Sequence, residues 1–258
     1  MLKSLMKDKS ISVDSFCSSC SVFVKNPRQL LKGVIALLPI CFISFVVYLR
    51  ITSRNGFYMS FVNEDGPVEW MTAISYLVAS LVAFLIARTF SKRRYTILYL
   101  TLAIGFFLSA LEEISWGQRI FGIKSPHFFQ AHNIQRETNL HNLLRGYVIH
   151  KLYIIVGFYT SFAWLILRKV KLSSESAVKL FVPDNWLMLY FLPVALFYFY
   201  WDFMSSLEIF IWGKFVIRDH FIDAKQQEPT EFLQSLGFLF FVLTIWYRGL
   251  QKHSFNER

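Results

Sequence analysis

Apolar residues in this chain gather into six long blocks, 33–48, 68–90, 95–115, 147–167, 186–204 and 230–247, with polar stretches between them. A helix needs about 20 mostly apolar residues to cross the hydrocarbon core of a bilayer. Lipid offers backbone N–H and C=O groups no partner, so such a block must satisfy its own hydrogen bonds as an α-helix. The pattern predicts an all-α fold, a polytopic transmembrane helix bundle of six spans. A further apolar run, 207–216, has about half the length of a span and predicts a short re-entrant or interfacial helix.

Around these blocks the chain divides into a basic arm over 1–32, a membrane domain over 33–248 and a tail over 249–258. The arm sets Lys3, Lys7, Lys9, Lys25, Arg28 and Lys32 among serines and lacks the continuous apolar core of a signal peptide. It reads as a partly disordered cytoplasmic segment. Composition agrees, with 55% hydrophobic and 18% aromatic residues, far from a soluble balance.

Charge supplies an orientation. With the N-terminus inside, the inner segments hold 17 Lys and Arg against 10 in the outer ones, and Arg88, Lys92, Arg93 and Arg94 form the densest inner group. The positive-inside rule then puts both termini in the cytoplasm, and the expected location is a bacterial inner membrane. Acids sort the other way, 5 inner and 12 outer, and five histidines (His127, His132, His141, His150, His220) are outer. The net charge of +10 is accounted for by this orientation and by attraction to anionic inner-leaflet lipid, not by nucleic-acid binding. Cys17 and Cys20 form a single C-x-x-C in the arm, which without a second pair reads as incidental.

The densest polar chemistry lies between the third and fourth blocks. Glu112 and Glu113 fall at the outer end of the third span. Adjacent residues on a helix point about 100° apart, so at most one of the two carboxylates can face the protein interior well. Close carboxylates can divide into a general acid and a general base, and Arg119 is placed to hold an anionic group. Glu137 and His141 are four residues apart and share a helix face. That spacing suits either a Glu–His hydrogen bond that orients the imidazole or two ligands of a divalent metal, with His132 a further candidate. A second acidic group comprises Glu69, Asp202, Glu208 and Glu231, with Asp219, Asp223 and Glu228 in the stretch before the sixth block. Glu69 and Glu231 each sit in a Pro-x-Glu at the head of an apolar block, Pro67-Val68-Glu69 and Pro229-Thr230-Glu231. Ordinary helix starts produce this pattern, and so would an internal duplication.

The stretch EEISWGQRIFG from Glu112, followed by NIQRETNLHN from Asn133, resembles a pattern of uncharacterised bacterial polytopic membrane proteins. The resemblance implies a membrane protein of that kind and carries no activity. Glu112-Glu113 with Phe128-x-x-x-His132 is also similar to the first two motifs of the CAAX-prenyl-protease and bacteriocin-processing family. That family has Arg where this chain has Gly117, and its His-x-x-x-Asn motif is missing after His141 (Arg145) and after His150 (Ile154).

Two functions remain open on this reading. In one, the chain is a membrane-embedded hydrolase or transferase. Glu112, Glu113, Arg119, Glu137 and His141 form its outer-face site, which acts on a lipid-linked or envelope substrate. In the other it is a non-enzymatic component, a transporter or an accessory subunit docking a membrane protein partner. Transporter sites lie near the bilayer midplane, where these blocks are almost purely apolar with Pro193 the main interruption.

Overall fold

The structure, a computed structural model, describes residues 27–63, 65–90, 92–118, 120–133, 136–140, 143, 146–169, 180–204, 207, 210–211 and 227–256. Within these residues the chain is all-α and contains no strand. The long helices are α1 (Pro27–Ser53), α3 (Pro67–Thr89), α4 (Arg93–Glu113), α6 (Gly146–Lys169), α7 (Met188–Phe199) and α8 (Gln227–Asn256). Short helices α2 (Met59–Val62) and α5 (His127–His132) lie in the connections. A 3-10 turn, Asn185–Leu187, leads into α7, and a π-helical turn, Tyr200–Met204, extends it. Six helices are long and apolar enough to cross a membrane, as the hydropathy pattern predicts. The re-entrant or interfacial helix expected over 207–216 falls largely outside the described residues, and α8 continues through the segment read as a tail.

The bundle packs through small residues. Ala79, Ala83 and Ala87 recur every fourth position of α3 and are all buried, as are Ala103 and Ala110 of α4. Such spacing lets helix backbones approach closely where lipid supplies no hydrophobic drive of its own. Ser80 Oγ donates across the gap to the Ala103 carbonyl at 2.7 Å. The same core takes in Tyr190, Phe191 and Val194 of α7 and Leu233 and Val242 of α8. Gly157 of α6 marks another close approach, since a Cβ built there would lie 2.7 Å from the Ala195 Cβ of α7. A second cluster joins α1 to α3 and α8 through Val46, Leu49, Tyr58, Val62, Val68 and Phe232.

Outward-facing positions carry the remaining apolar residues, among them Leu37, Ile51, Ile74, Leu81, Ile104 and Ile155. A folded soluble chain scatters such residues, whereas here they cover helix after helix, as a lipid-facing surface requires. At one end of the bundle Arg248 pairs with Asp184, and Tyr99 donates to the Leu180 carbonyl at 3.0 Å. The opposite end gathers the acids.

Candidate functional site

Three helix ends bring carboxylates together. Glu113 is the last residue of α4, while Glu228 and Glu231, three apart on one face, lie in the first turns of α8. Carboxylate oxygens of Glu113, Glu228 and Glu231 all lie within 4.8 Å of one another. Glu69, in the first turn of α3, is within electrostatic range of Glu113, and so is Glu112. Glu69 accepts a hydrogen bond from the Asp65 N–H, closing the turn before the helix in the manner of a capping box. A small cleft beside this group is lined by Asp65, Glu69, Trp70, Glu113, Ile114 and Ile120.

Tyrosines and a histidine surround the acids from the other side. Glu231 Oε1 accepts hydrogen bonds from Tyr153 of α6 at 3.2 Å and from Tyr198 of α7 at 3.3 Å. The two phenol rings stack with centroids 4.7 Å apart. His150 and Tyr153 share one face of α6, and Tyr198 and Asp202 share one face of α7 and its π-helical turn. Their meeting puts the His150 ring 4.7 Å from the Tyr198 ring and makes the 2.7 Å bond from His150 Nδ1 to Asp202 Oδ1. Asp202 Oδ2 is buried and has no hydrogen-bond partner among the described residues.

Glu112 turns away from its neighbour, as two adjacent helix positions must. Its Oε1 accepts from Trp116 Nε1 and its Oε2 from the Leu140 N–H, both at 2.6 Å. These bonds fasten the chain beyond α4, where Ser115, Trp116 and Gly117 all adopt left-handed φ values of 46°, 57° and 75°. Two such non-glycine residues in succession are strained and need support from the surroundings. Glu137 belongs to the same support: its carboxylate accepts from Ser115 Oγ at 2.5 Å, and Asn133 Nδ2 reaches its carbonyl at 2.8 Å and Asn139 Oδ1 at 2.6 Å.

Of the residues singled out in the sequence, Glu113 thus joins Glu69 and Glu231 of the secondary acidic group in one place, with Asp202 nearby through His150 and Tyr198. Glu112 and Glu137 are engaged in the adjoining loop. His132 is exposed, with Nδ1 2.9 Å from the Phe128 carbonyl and its ring stacked on Phe128. Among the described residues the group able to hold a metal is Glu113, Glu228 and Glu231, and neither His132 nor Glu137 belongs to it. Arg119, His141 and Glu208 lie outside the described residues. In the sequence Glu228 is only one charge among several before the sixth block, because α8 begins three residues ahead of that block, and His150 is only one of five outer histidines. Its position inside an otherwise apolar span was the available signal.

Oxygen-only ligands suit a hard divalent cation such as Mg²⁺, Mn²⁺ or Ca²⁺. The same oxygens, flanked by tyrosine hydroxyls and a carboxylate-oriented imidazole, form a set of proton donors and acceptors. No family model, no curated protein and no solved structure matches this chain.

Proposed function

We propose that this chain is a membrane-embedded hydrolase or transferase of the bacterial inner membrane, acting at the outer leaflet on a lipid-linked or envelope substrate, with both termini in the cytoplasm. The observation that carries the reading is the convergence of Glu113, Glu228 and Glu231 from two helices within 4.8 Å, backed by Tyr153, Tyr198 and the His150–Asp202 pair. Like charges held this close need a positive partner, a divalent cation or a proton. Holding a proton, the group would supply an acid for the leaving group and a base for the attacking one; holding a cation, it would supply an electrophilic centre for an anionic headgroup.

Within this reading one glutamate of the cluster and the His150 imidazole exchange protons with the substrate, and Asp202 holds the imidazole in one tautomer. Glu69 and Asp65 border the cleft where a headgroup would sit. The acids stand at helix ends, not at mid-helix, which favours interfacial chemistry over translocation through the midplane.

The test is to introduce Glu113→Gln and Glu231→Gln, verify normal membrane accumulation, and compare lipid and envelope profiles with those of a strain lacking the protein. Each substitution is expected to reproduce the deletion profile. Wild-type profiles in both variants would transfer the chain to the accessory-subunit reading.

A further inference from the structure

Among the described residues joining α4 to α6, several polar side chains are buried while large apolar ones stand outside. Ser115, Ser125, Asn133, Glu137 and Asn139 are between 1% and 9% exposed, while Ile120, Phe121, Ile123 and Phe128 are between 53% and 73% exposed. A loop facing water does the reverse. Nor is this apolar surface a floppy accident, because polar bonds pin the segment from within. The Phe121 N–H donates to the Gly117 carbonyl at 3.0 Å, and the Ile123 N–H to the Gln118 carbonyl at 2.9 Å. Ser125 Oγ donates to the Arg136 carbonyl at 2.7 Å, and Gln130 Nε2 to the Ser125 carbonyl at 2.6 Å.

We infer that the apolar side of residues 120–128 lies in the headgroup–acyl boundary of the leaflet at this end of the bundle, with Phe121, Ile123 and Phe128 among the upper acyl carbons and Lys124 held out in the headgroup water. Two features select lipid as the occupant. The first is continuity: the segment leaves the end of α4, whose exposed Ile104, Phe107 and Leu108 form part of the lipid-facing surface. The second is charge: Lys124, His127, His132 and Arg136 are exposed and interleaved with the apolar residues, the arrangement by which interfacial segments meet phosphate headgroups while their apolar side sinks about 5–10 Å. Cations and aromatics at one depth are also what the interfacial belt of a membrane protein collects.

Ile120 belongs to both worlds, since it lines the cleft shared by Glu69 and Glu113. The Ile120 end of the segment therefore borders the acid cluster, and an amphiphile moving sideways in the leaflet would meet those carboxylates without leaving the bilayer. The placement itself requires only that the six helices cross the membrane and is independent of any chemistry at the acids.

Spin labels test it. In a full-length background carrying Cys17→Ser, Cys20→Ser and Cys41→Ser, single cysteines Phe121→Cys and Phe128→Cys are labelled with a nitroxide. The proteins are reconstituted in vesicles of phosphatidylcholine and phosphatidylglycerol, with Lys124→Cys as the aqueous reference and Ile104→Cys as the lipid reference. Power saturation against oxygen and against a water-soluble nickel chelate reads the environment. Both loop labels are expected to give an oxygen-to-nickel accessibility ratio several-fold above that of Lys124→Cys and approaching that of Ile104→Cys. A ratio equal to that of Lys124→Cys would overturn the inference, and so would protection from both reagents, which would mean that a protein covers the segment. A failed Ile104→Cys reference would overturn the inference together with the membrane span it requires.

Discussion

The His150 imidazole donates from Nδ1 to Asp202 Oδ1 at 2.7 Å, joining the first turns of α6 to the π-helical turn that extends α7. Both side chains are largely buried, 12% and 14% exposed. Removing one partner leaves the other desolvated and unsatisfied, which costs more than the net value of the bond. His150→Ala is expected to destabilise the protein by about 1–3 kcal/mol. The double variant with Asp202→Ala should lose less than the sum of the two single losses. Thermal unfolding in detergent measures all three, and strictly additive losses would show that the pair is not coupled.

The acid cluster makes a prediction of opposite sign. Replacing Glu113 or Glu231 by Gln removes repulsion among carboxylates within 4.8 Å, so each variant should be more stable than wild type in chelator, by an amount on the order of 1 kcal/mol. Adding Mn²⁺ or Mg²⁺ should stabilise the wild type, by about 2.7 kcal/mol at a hundred times its dissociation constant, and should do much less for the variants. Glu112→Gln behaves differently: its bonds to Trp116 and Leu140 serve the loop, so the variant should keep the cation response. Melting curves with and without the cation separate these outcomes.

The difference between Glu112 and Glu113 also marks how far the sequence could be read. Hydropathy was enough for six helices, because length and apolarity leave a spanning segment no other structure. The 100° between neighbouring helix positions was enough to say that the two carboxylates diverge. Which of them turns inward depended on how α4 is rotated in the bundle, and nothing in the local pattern announces that Trp116 adopts a positive φ. The two Pro-x-Glu helix starts were visible as a motif. Their convergence on Glu113 was not, since it follows from the packing of α8 beside α3 and α4 rather than from either segment alone. Glu228 was visible as an acid, but that it shares a helix face with Glu231 depended on a helix boundary, the least certain feature of any periodicity argument.

Close packing yields a prediction with an internal control. A Cβ at Gly157 would meet the Ala195 Cβ at 2.7 Å and the Phe191 carbonyl oxygen at 3.0 Å, whereas at Gly105 it would meet nothing within 4 Å. Gly157→Val should force α6 and α7 apart and cost about 1–3 kcal/mol, the usual range for overpacking. Gly105→Ala should be neutral or stabilising by about 0.5–1 kcal/mol, through the lower entropy of the unfolded chain. Equal melting temperatures for the two variants would contradict the close approach of α6 to α7.

Orientation is directly measurable. Lys124→Cys in the cysteine-free background should react with a membrane-impermeant maleimide applied to intact cells from outside, and Lys92→Cys only after the membrane is permeabilised. The reverse pattern would invert the topology expected from the distribution of Lys and Arg.

The three-residue link between Thr89 and Arg93 makes α3 and α4 a hairpin, which has a consequence for biogenesis. Glu69 and Glu113 are made on that hairpin before α8 supplies Glu228 and Glu231. A chain that stops before its sixth span would therefore hold a packed pair of helices with two of these four carboxylates, and none of the phenol contacts that Glu231 makes.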